Sequence, residues 1–559
     1  MSSKVTRRSF MGVAIAAGAT AVAGRGGLEP TPLDARTRAT PVPPTRSPAP
    51  FELEETTVAD LQKAMREGRF TSQRLTELYL QRIDEMDQRG PAINAVLTIN
   101  PDAGAQAAQA DSERAAGKVR GPLHGIPVLI KDNISTADKM PTTAGSLALA
   151  GVIAPRDAFI VQRLRQAGAV IIGKTNLSEW ANFRSSHSSS GWSGCGGQTR
   201  NSYVLDRSPS GSSSGSGAAT AANFCVVSVG TETDGSIVSP SSANSLVGLK
   251  PTLGLVSRAG IVPIAHSQDT AGPMCRTVAD AAALLTVLAG ADPNDAATLA
   301  TKRANAPDFT AVLDRGGLKG ARIGLPRESY YGYSASTDKI MDHVIQLLKD
   351  EGAVIVDPAN IRSAGKFGDS EFEVLLYEFK ADLNTFLATL GPGAPVKSLA
   401  DVIAFNDAHR DTSMPFFGQE IMLQAQKKGP LTSEKYRKAL AKNHRLTRTE
   451  GIDATMNKHR LDALVAPTQG PTWFIDLVNG DGGSGGSSSS PAAVAGYPSI
   501  TVPAGYVYGL PVGVSFFGRA HSEATIIKLA YAYEQASKVR RPPTFASSAE
   551  LPPSGRPAK

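Results

Sequence analysis

Residues 209–251 read PSGSSSGSGAATAANFCVVSVGTETDGSIVSPSSANSLVGLKP, and the placing of the small residues in this stretch decides how the rest of the chain is read. Glycine and serine crowd into two stretches, 211–217 and 231–239, on either side of 218–229. That middle piece opens with the small residues of a closely packed helix and closes on the apolar strand 225–229. A flexible linker of this composition would not enclose a buried helix and strand. Tight turns at the ends of packed elements would, because glycine takes conformations and allows close approaches that other residues do not. Serines held in such turns are candidates for nucleophilic chemistry.

Outward from this segment, helical and strand-like patterns alternate. A helix capped by Thr57 runs to about Gly68. A second, from Ser72, places Leu75, Leu78, Tyr79, Ile83 and Met86 on one face with Arg82 at its edge. Residues 103–116 form a third. The run GIPVLI at 125–130 reads as a buried strand ending at Lys131-Asp132-Asn133, followed by a helix over 157–167 and a strand over 169–172. The order returns downstream: helix 278–289, strand 321–325, helix 338–351 with Gly352 as its stop, and strand 353–356. Residues 357–460 are helical and charged without a boundary. Strands 461–465, 499–502 and 512–517 then precede a last helix, 523–537. Such alternation predicts an α/β fold with helices packed on a sheet. The stretch NGDGGSGGSSSSP at 479–491 lies between apolar elements of that domain, so it reads as a mobile loop within it; loops of that length are often functional.

The chain has 559 residues, 41% hydrophobic and 19% charged, the balance of a soluble globular protein with a large core. Its formal net charge of +7 comes without a basic run interleaved with aromatics, which excludes a nucleic-acid surface of that kind. Cys195, Cys225 and Cys275 make neither a disulfide framework nor a zinc spacing. Arg7-Arg8 stands ahead of a short apolar run, 12–23, that ends in Ala21-Val22-Ala23. This predicts a twin-arginine-type export signal over 1–23 and a periplasmic or secreted protein. The run is too short for stable membrane insertion. A proline-rich disordered tether follows over 24–50, the ordered domain spans 51–545, and 546–559 reads as a loose tail.

Gly211-Ser212-Ser213-Ser214-Gly215 matches a nucleophile elbow centred on Ser213, but an elbow follows a core strand directly. Here Leu205-Asp206-Arg207-Ser208-Pro209 precedes it, polar and broken by proline. A phosphate loop would close with Gly-Lys-Ser/Thr, which is missing. No His-Glu-x-x-His occurs and the eight histidines are scattered, so no metal is expected. An acyl-transfer serine without a histidine needs another base, and lysine is the obvious one. Lys131, Lys174 and Lys250 each end an apolar run. Burial there would bring a lysine from about 10.4 toward neutrality, as a general base requires. On the residues alone the three are equivalent.

The turns at 210–216 and 230–237, with GIPVLIKDN at 125–133 and GLKPT at 248–252, resemble the amidase signature family. Its core runs Gly-Gly-Ser-Ser-Gly-Gly-Ser, Gly-Thr-Asp-Thr-Gly-Gly-Ser-Ile and Gly-Leu-Lys-Pro-Thr. The likeness extends over about 55–540, and the variant Thr-Glu-Thr-Asp-Gly-Ser is most similar to the peptide-amidase branch. The resemblance implies one large domain with a mixed twisted sheet covered by helices. It also implies a cofactor-free amide hydrolase with a Ser-Ser-Lys triad, acting on small or peptide C-terminal amides through an acyl-enzyme and releasing ammonia or an amine. By position, the nucleophile falls on Ser236, the bridging serine on Ser212 after a cis Gly211–Ser212 peptide, and the base on Lys131. Backbone N–H groups of Thr233, Asp234, Gly235 and Ser236 would form the oxyanion hole, with Ser213 and Thr231 in support. Ser214 and Asp234 stand where glycine is common, and Val238 stands where many members carry arginine, which weakens the expectation of a gripped substrate carboxylate. Two alternatives remain. One is a glutamine-hydrolysing transamidation subunit; the export signal and the 479–491 stretch argue against it. The other is an exported binding protein on the same scaffold. The expected partner is a small-molecule or peptide amide, with no nucleic acid; the oligomeric state is open.

Overall fold

The structure, a computed structural model, describes residues 50–300 and 307–549. The expected export signal, the tether up to residue 49 and the tail from residue 550 lie outside them. Among the described residues the strands are β1 (Val96–Ile99), β2 (Pro127–Lys131), β3 (Val170–Thr175), β4 (Trp192–Ser193), β5 (Gly197–Gln198), β6 (Val227–Glu232), β7 (Val247–Lys250), β8 (Thr270–Cys275), β9 (Arg322–Gly324), β10 (Val354–Val356), β11 (Ala463–Pro467), β12 (Ser499–Val507) and β13 (Leu510–Phe517). Eleven of them form one sheet in the order β1-β3-β2-β6-β8-β7-β12-β13-β11-β9-β10, and β4 pairs with β5 alone. β2 is parallel to both its neighbours, whereas β8 is antiparallel to β6 and β7, so the sheet of this α/β domain is mixed.

All of β2 and β6 is buried, as parallel strands covered on both faces require. Along β6, Val227 and Val229 enter the main apolar core while Ser228 turns to the other face. There it accepts from Thr220 Oγ1 at 2.8 Å and donates to the Ser216 carbonyl at 3.1 Å, both on the buried helix Ser214–Ala221. The sheet thus carries the small-residue helix close against the strand that leads into the second serine turn.

Helix Ser72–Met86 buries the expected face, with one correction. Arg82 lies inside that face rather than at its edge, 5% exposed, with its guanidinium 5.1 Å over the Phe51 ring; that stacking offsets the cost of burying a charged tip. Hydrophobic patterning misses β1 and β8. In β8, Gly272 and Pro273 read as a break, yet the strand is wholly buried and pairs with β6 from Thr270↔Glu232 to Val227↔Cys275. The unbounded helical stretch resolves into Gly368–Thr389, Leu399–Ala408, Arg410–Ser413, Glu420–Gln426 and Glu434–His444, continued by Arg445–Ile452 and Asp453–His459. Gly368–Thr389 sets Leu375, Phe379, Leu383 and Leu387 at four-residue spacing, and they pack with Trp180 and Phe183 in a second apolar cluster.

The glycine-serine stretch at 479–491 is pinned rather than free. Asp481 accepts from the Ser190 N–H at 2.9 Å, from Ser190 Oγ at 2.6 Å and from Trp473 Nε1 at 2.9 Å. Ser489 Oγ donates to Asp234 Oδ1 at 2.5 Å, and the helix Ser490–Ala495 begins at its end. Among the described residues no helix is long and apolar enough to cross a membrane.

Candidate active site

β6 ends at Glu232, and the chain turns before the short helix Val238–Ala243. The Glu232 carboxylate holds this turn from within. Its Oε1 accepts the Gly235 N–H at 2.9 Å, and its Oε2 accepts those of Ile237 at 2.8 Å and Val238 at 3.1 Å. An anion here satisfies amides that have no partner inside the helix. Gly235 sits at φ +83°, a left-handed conformation strained for other side chains. In the facing turn the Gly211–Ser212 peptide is cis. Neither Ser214 nor Asp234, the two replacements of glycine, has a positive φ. The turns are stitched through the backbone: the Ser213 N–H donates to the Ser236 carbonyl at 3.2 Å. Glycine at 230 permits that approach, since a Cβ there would lie 2.9 Å from Ser213 Oγ.

Lys131, the last residue of β2, is fully buried. Its Nζ reaches Ser212 Oγ at 2.8 Å, Ser213 Oγ at 3.0 Å and Thr231 Oγ1 at 2.9 Å. Burial pushes its pKa down to about 7, against the opposing pull of the Asp269 and Glu232 carboxylates. A neutral amine keeps one lone pair, so in that form Lys131 can accept the Ser212 proton. The two lysines that match it in sequence meet other groups. Lys174 donates to the Pro141 carbonyl at 2.7 Å and Thr142 Oγ1 at 2.6 Å, and burial pushes its pKa down to about 8. Lys250 donates to the Pro251 carbonyl at 3.3 Å and is likewise pushed down to about 8 by burial, with Glu232 and Glu523 opposing. Among the described residues neither is hydrogen-bonded to a serine of the turns.

Ser236 is 9% exposed, and among the described residues its Oγ has no hydrogen-bond partner. A Ser212–Ser236 hydrogen bond is not formed here. Of the four expected oxyanion donors, Gly235 is corrected, because its N–H is engaged by Glu232. That grip leaves the N–H groups of Thr233, Asp234 and Ser236 outside it. Ser213 Oγ donates to the Thr231 carbonyl at 3.0 Å, and Asn133 Nδ2 donates to Thr231 Oγ1 at 2.9 Å, so both supporting residues are tied to the lysine's surroundings. Thr233 Oγ1 donates to Asp269 Oδ1 at 2.6 Å, and burial pushes the Asp269 carboxyl up to about 6.

A cavity of about 500 Å³ opens beside Thr231 and Thr233, with Ile261, Val262, Ile264, Phe386 and Leu390 among its walls. It is of a size and polarity to receive an apolar side chain next to the turn. Sequence reasoning missed Asn133, Glu232 and Asp269. The first two stood inside the motifs KDN and GTETDGS, whereas Asp269 reaches Thr233 across 36 residues of chain and left no local signal.

A family model described as Amidase matches residues 74–527. The chain belongs to the Amidase family. This amidase is an amide-hydrolysing enzyme, and its likeness to known members runs nearly end to end. It is 44% identical to a probable amidase of Arabidopsis thaliana over 504 residues, 89% of this chain and 92% of that one. The solved peptide amidase from Stenotrophomonas maltophilia is 52% identical with a TM-score of 0.85, the match covering 89% of this amidase and all of that chain. A peptide amidase solved with the competitive inhibitor chymostatin is also 52% identical, with a TM-score of 0.86 over 88% of this chain and 100% of that one. A glutamyl-tRNA(Gln) amidotransferase component from Chloroflexus aurantiacus is 35% identical over 495 residues, 87% of this chain and 98% of that one.

Proposed function

We propose that this amidase cleaves the C-terminal amide of a peptide, or a small amide of similar shape, through an acyl-enzyme formed on Ser236. One observation carries the reading: a buried lysine amine, held near neutrality, lies 2.8 Å from Ser212 in a turn stitched to Ser236. Neutral Lys131 takes the Ser212 proton while Ser212 Oγ takes that of Ser236. The Ser236 oxygen bonds to the amide carbon, and the carbonyl electron pair moves onto its oxygen. The N–H groups of Thr233, Asp234 and Ser236 receive this oxyanion, one such donor being worth about 3–4 kcal/mol, while Gly235 shapes the turn. Ser212 then protonates the leaving nitrogen as the C–N bond breaks and takes the Lys131 proton in its place; water, deprotonated through the restored relay, cleaves the ester, and the proton returns through Ser212 to the Ser236 oxygen. Ser213 and Thr231 hold the amine in place. The relay needs the Ser212 and Ser236 hydroxyls to meet, and catalytic contacts that are long in the free enzyme tighten around substrate. No cofactor takes part.

The 52% identity to peptide amidases against 35% to the amidotransferase component favours a peptide amide over glutamine as the substrate. Ammonia release should be measured on peptide amides, aliphatic amides and free glutamine, with a sulfonyl fluoride label located by mass spectrometry. Ammonia from peptide amides with the label on Ser236 is the expected result. Turnover of glutamine alone, or a label on another serine, would overturn the reading. Export through the twin-arginine route is part of the same proposal, supported by Arg7-Arg8 ahead of the apolar run. Lysines at both positions should hold the protein in the cytoplasm, and unchanged fractionation would remove that part.

A further inference from the structure

One side of the cavity is built where two segments run past each other. On helix Gly368–Thr389, Glu371, Glu378 and Asp382 share one face by their spacing. Gln268, Ser267 and His266 meet them in reverse order. Gln268 Nε2 donates to Glu371 Oε1 at 3.2 Å, and the Ser267 N–H donates to Glu378 Oε2 at 2.9 Å. The His266 N–H and Nδ1 both meet Asp382 Oδ2 at 2.8 Å, and His266 Nε2 lies 3.4 Å from Glu378 Oε1. This strap continues to the oxyanion turn. Gln268 Nε2 also donates to the Thr233 carbonyl at 3.2 Å, and Asp269 accepts Thr233 Oγ1.

Both ring nitrogens of His266 face carboxylate oxygens, which is the arrangement of an imidazolium with two donors. Here Glu378 already accepts from Tyr436 Oη at 2.7 Å and from the Ser267 N–H, and Asp382 accepts from the His266 N–H. The cluster is therefore an ion-pair clamp.

We propose that His266 is a positioning residue for amide hydrolysis: its imidazolium fastens the 266–269 strap to the acidic helix face, the strap sets Thr233 in the oxyanion turn, and loss of the ring proton loosens both. The proposal rests on the mechanism given above. The groups that face the ring are Glu378 and Asp382 on their helix, with Tyr436 of helix Glu434–His444 behind Glu378. Arg258, paired with Asp295, donates to the His266 carbonyl, and Asp269 stands further along the strap. Burial and Arg258 oppose the charged ring, yet the two carboxylates prevail and hold its pKa above the ordinary histidine value.

The test compares wild type with His266→Gln and Asp382→Asn, both at partly exposed side chains that the fold should tolerate. In wild type, kcat for a peptide amide is expected to rise with Lys131 and fall again as His266 loses its proton. In His266→Gln the alkaline limb should vanish, with kcat down about tenfold and KM little changed, because oxyanion contacts act in the transition state. Asp382→Asn should move the alkaline limb to lower pH. Protection of the 231–237 amides against hydrogen exchange, corrected for intrinsic rate, gives a readout that does not need turnover. It should drop in His266→Gln, and in wild type above the alkaline limb. An inactive wild type in which that drop still occurs would sink the amidase mechanism and leave the clamp standing. An active enzyme whose limb and protection are unmoved by His266→Gln would overturn the clamp, and an inactive one with unmoved protection would overturn both.

Discussion

Replacing Lys131 with methionine keeps an unbranched side chain of similar reach at the end of β2 and removes the amine. Its effect on stability should depend on pH with a definite sign. In the folded chain the amine titrates at about 7 instead of 10.5, a displacement of roughly 5 kcal/mol toward the neutral form. Between those values the unfolded chain binds more protons than the folded one, so the lysine makes wild type more stable as pH rises through that window. From about pH 6 to about pH 9 this contribution amounts to roughly 2–3 kcal/mol. Methionine does not titrate in this window. The variant also leaves the Ser212, Ser213 and Thr231 hydroxyls without the amine, at about 1 kcal/mol each, but this cost does not change with pH and cancels in the comparison. Urea denaturation followed by tryptophan fluorescence at both pH values measures it. The stability of Lys131→Met relative to wild type should fall by roughly 2–3 kcal/mol between the two. An equal difference at both would refute the claim that this lysine is held neutral by burial.

Amide hydrolysis should gain rate as pH rises through about 7, where Lys131 becomes a base, and Asp269→Asn should move that limb to lower pH by removing an anion that favours the ammonium. An unmoved limb in the variant would separate Asp269 from the lysine. Ser236→Ala should abolish ammonia release while calorimetry still detects peptide-amide binding; residual turnover would assign the nucleophile elsewhere. Gly230→Ala places a Cβ 2.9 Å from Ser213 Oγ and 2.6 Å from Met274 Sδ. It should cost about 1–3 kcal/mol in melting experiments, with reduced kcat, and an unchanged melt would show that the turns can part without loss.

Strong periodicity made much of the fold legible. Helix Glu523–Ser537 falls where the sequence puts it, and β2 ends on Lys131 as its apolar run indicates. β8 was hidden because Gly272 and Pro273 argue against a strand, and only its burial between β6 and β7 makes one of it. Lys131, Lys174 and Lys250 look alike in the chain because what separates them is the direction of each Nζ, which depends on elements far apart in sequence. The same distance hid the His266 clamp. Ser267 meets Glu378 across 111 residues, in a stretch that the sequence marks only as helical and charged. Glu232 was visible as a motif letter, but its hold on three backbone amides was not.

The geometry of the paired turns is fixed by main chain and by Glu232, and hardly at all by the hydroxyls that would react. Erasing a hydroxyl should therefore leave the recess around it in shape. Inert forms of this enzyme ought to work as bait, retaining an uncut amide long enough to be caught in a crystal or pulled from a mixture of peptides and identified.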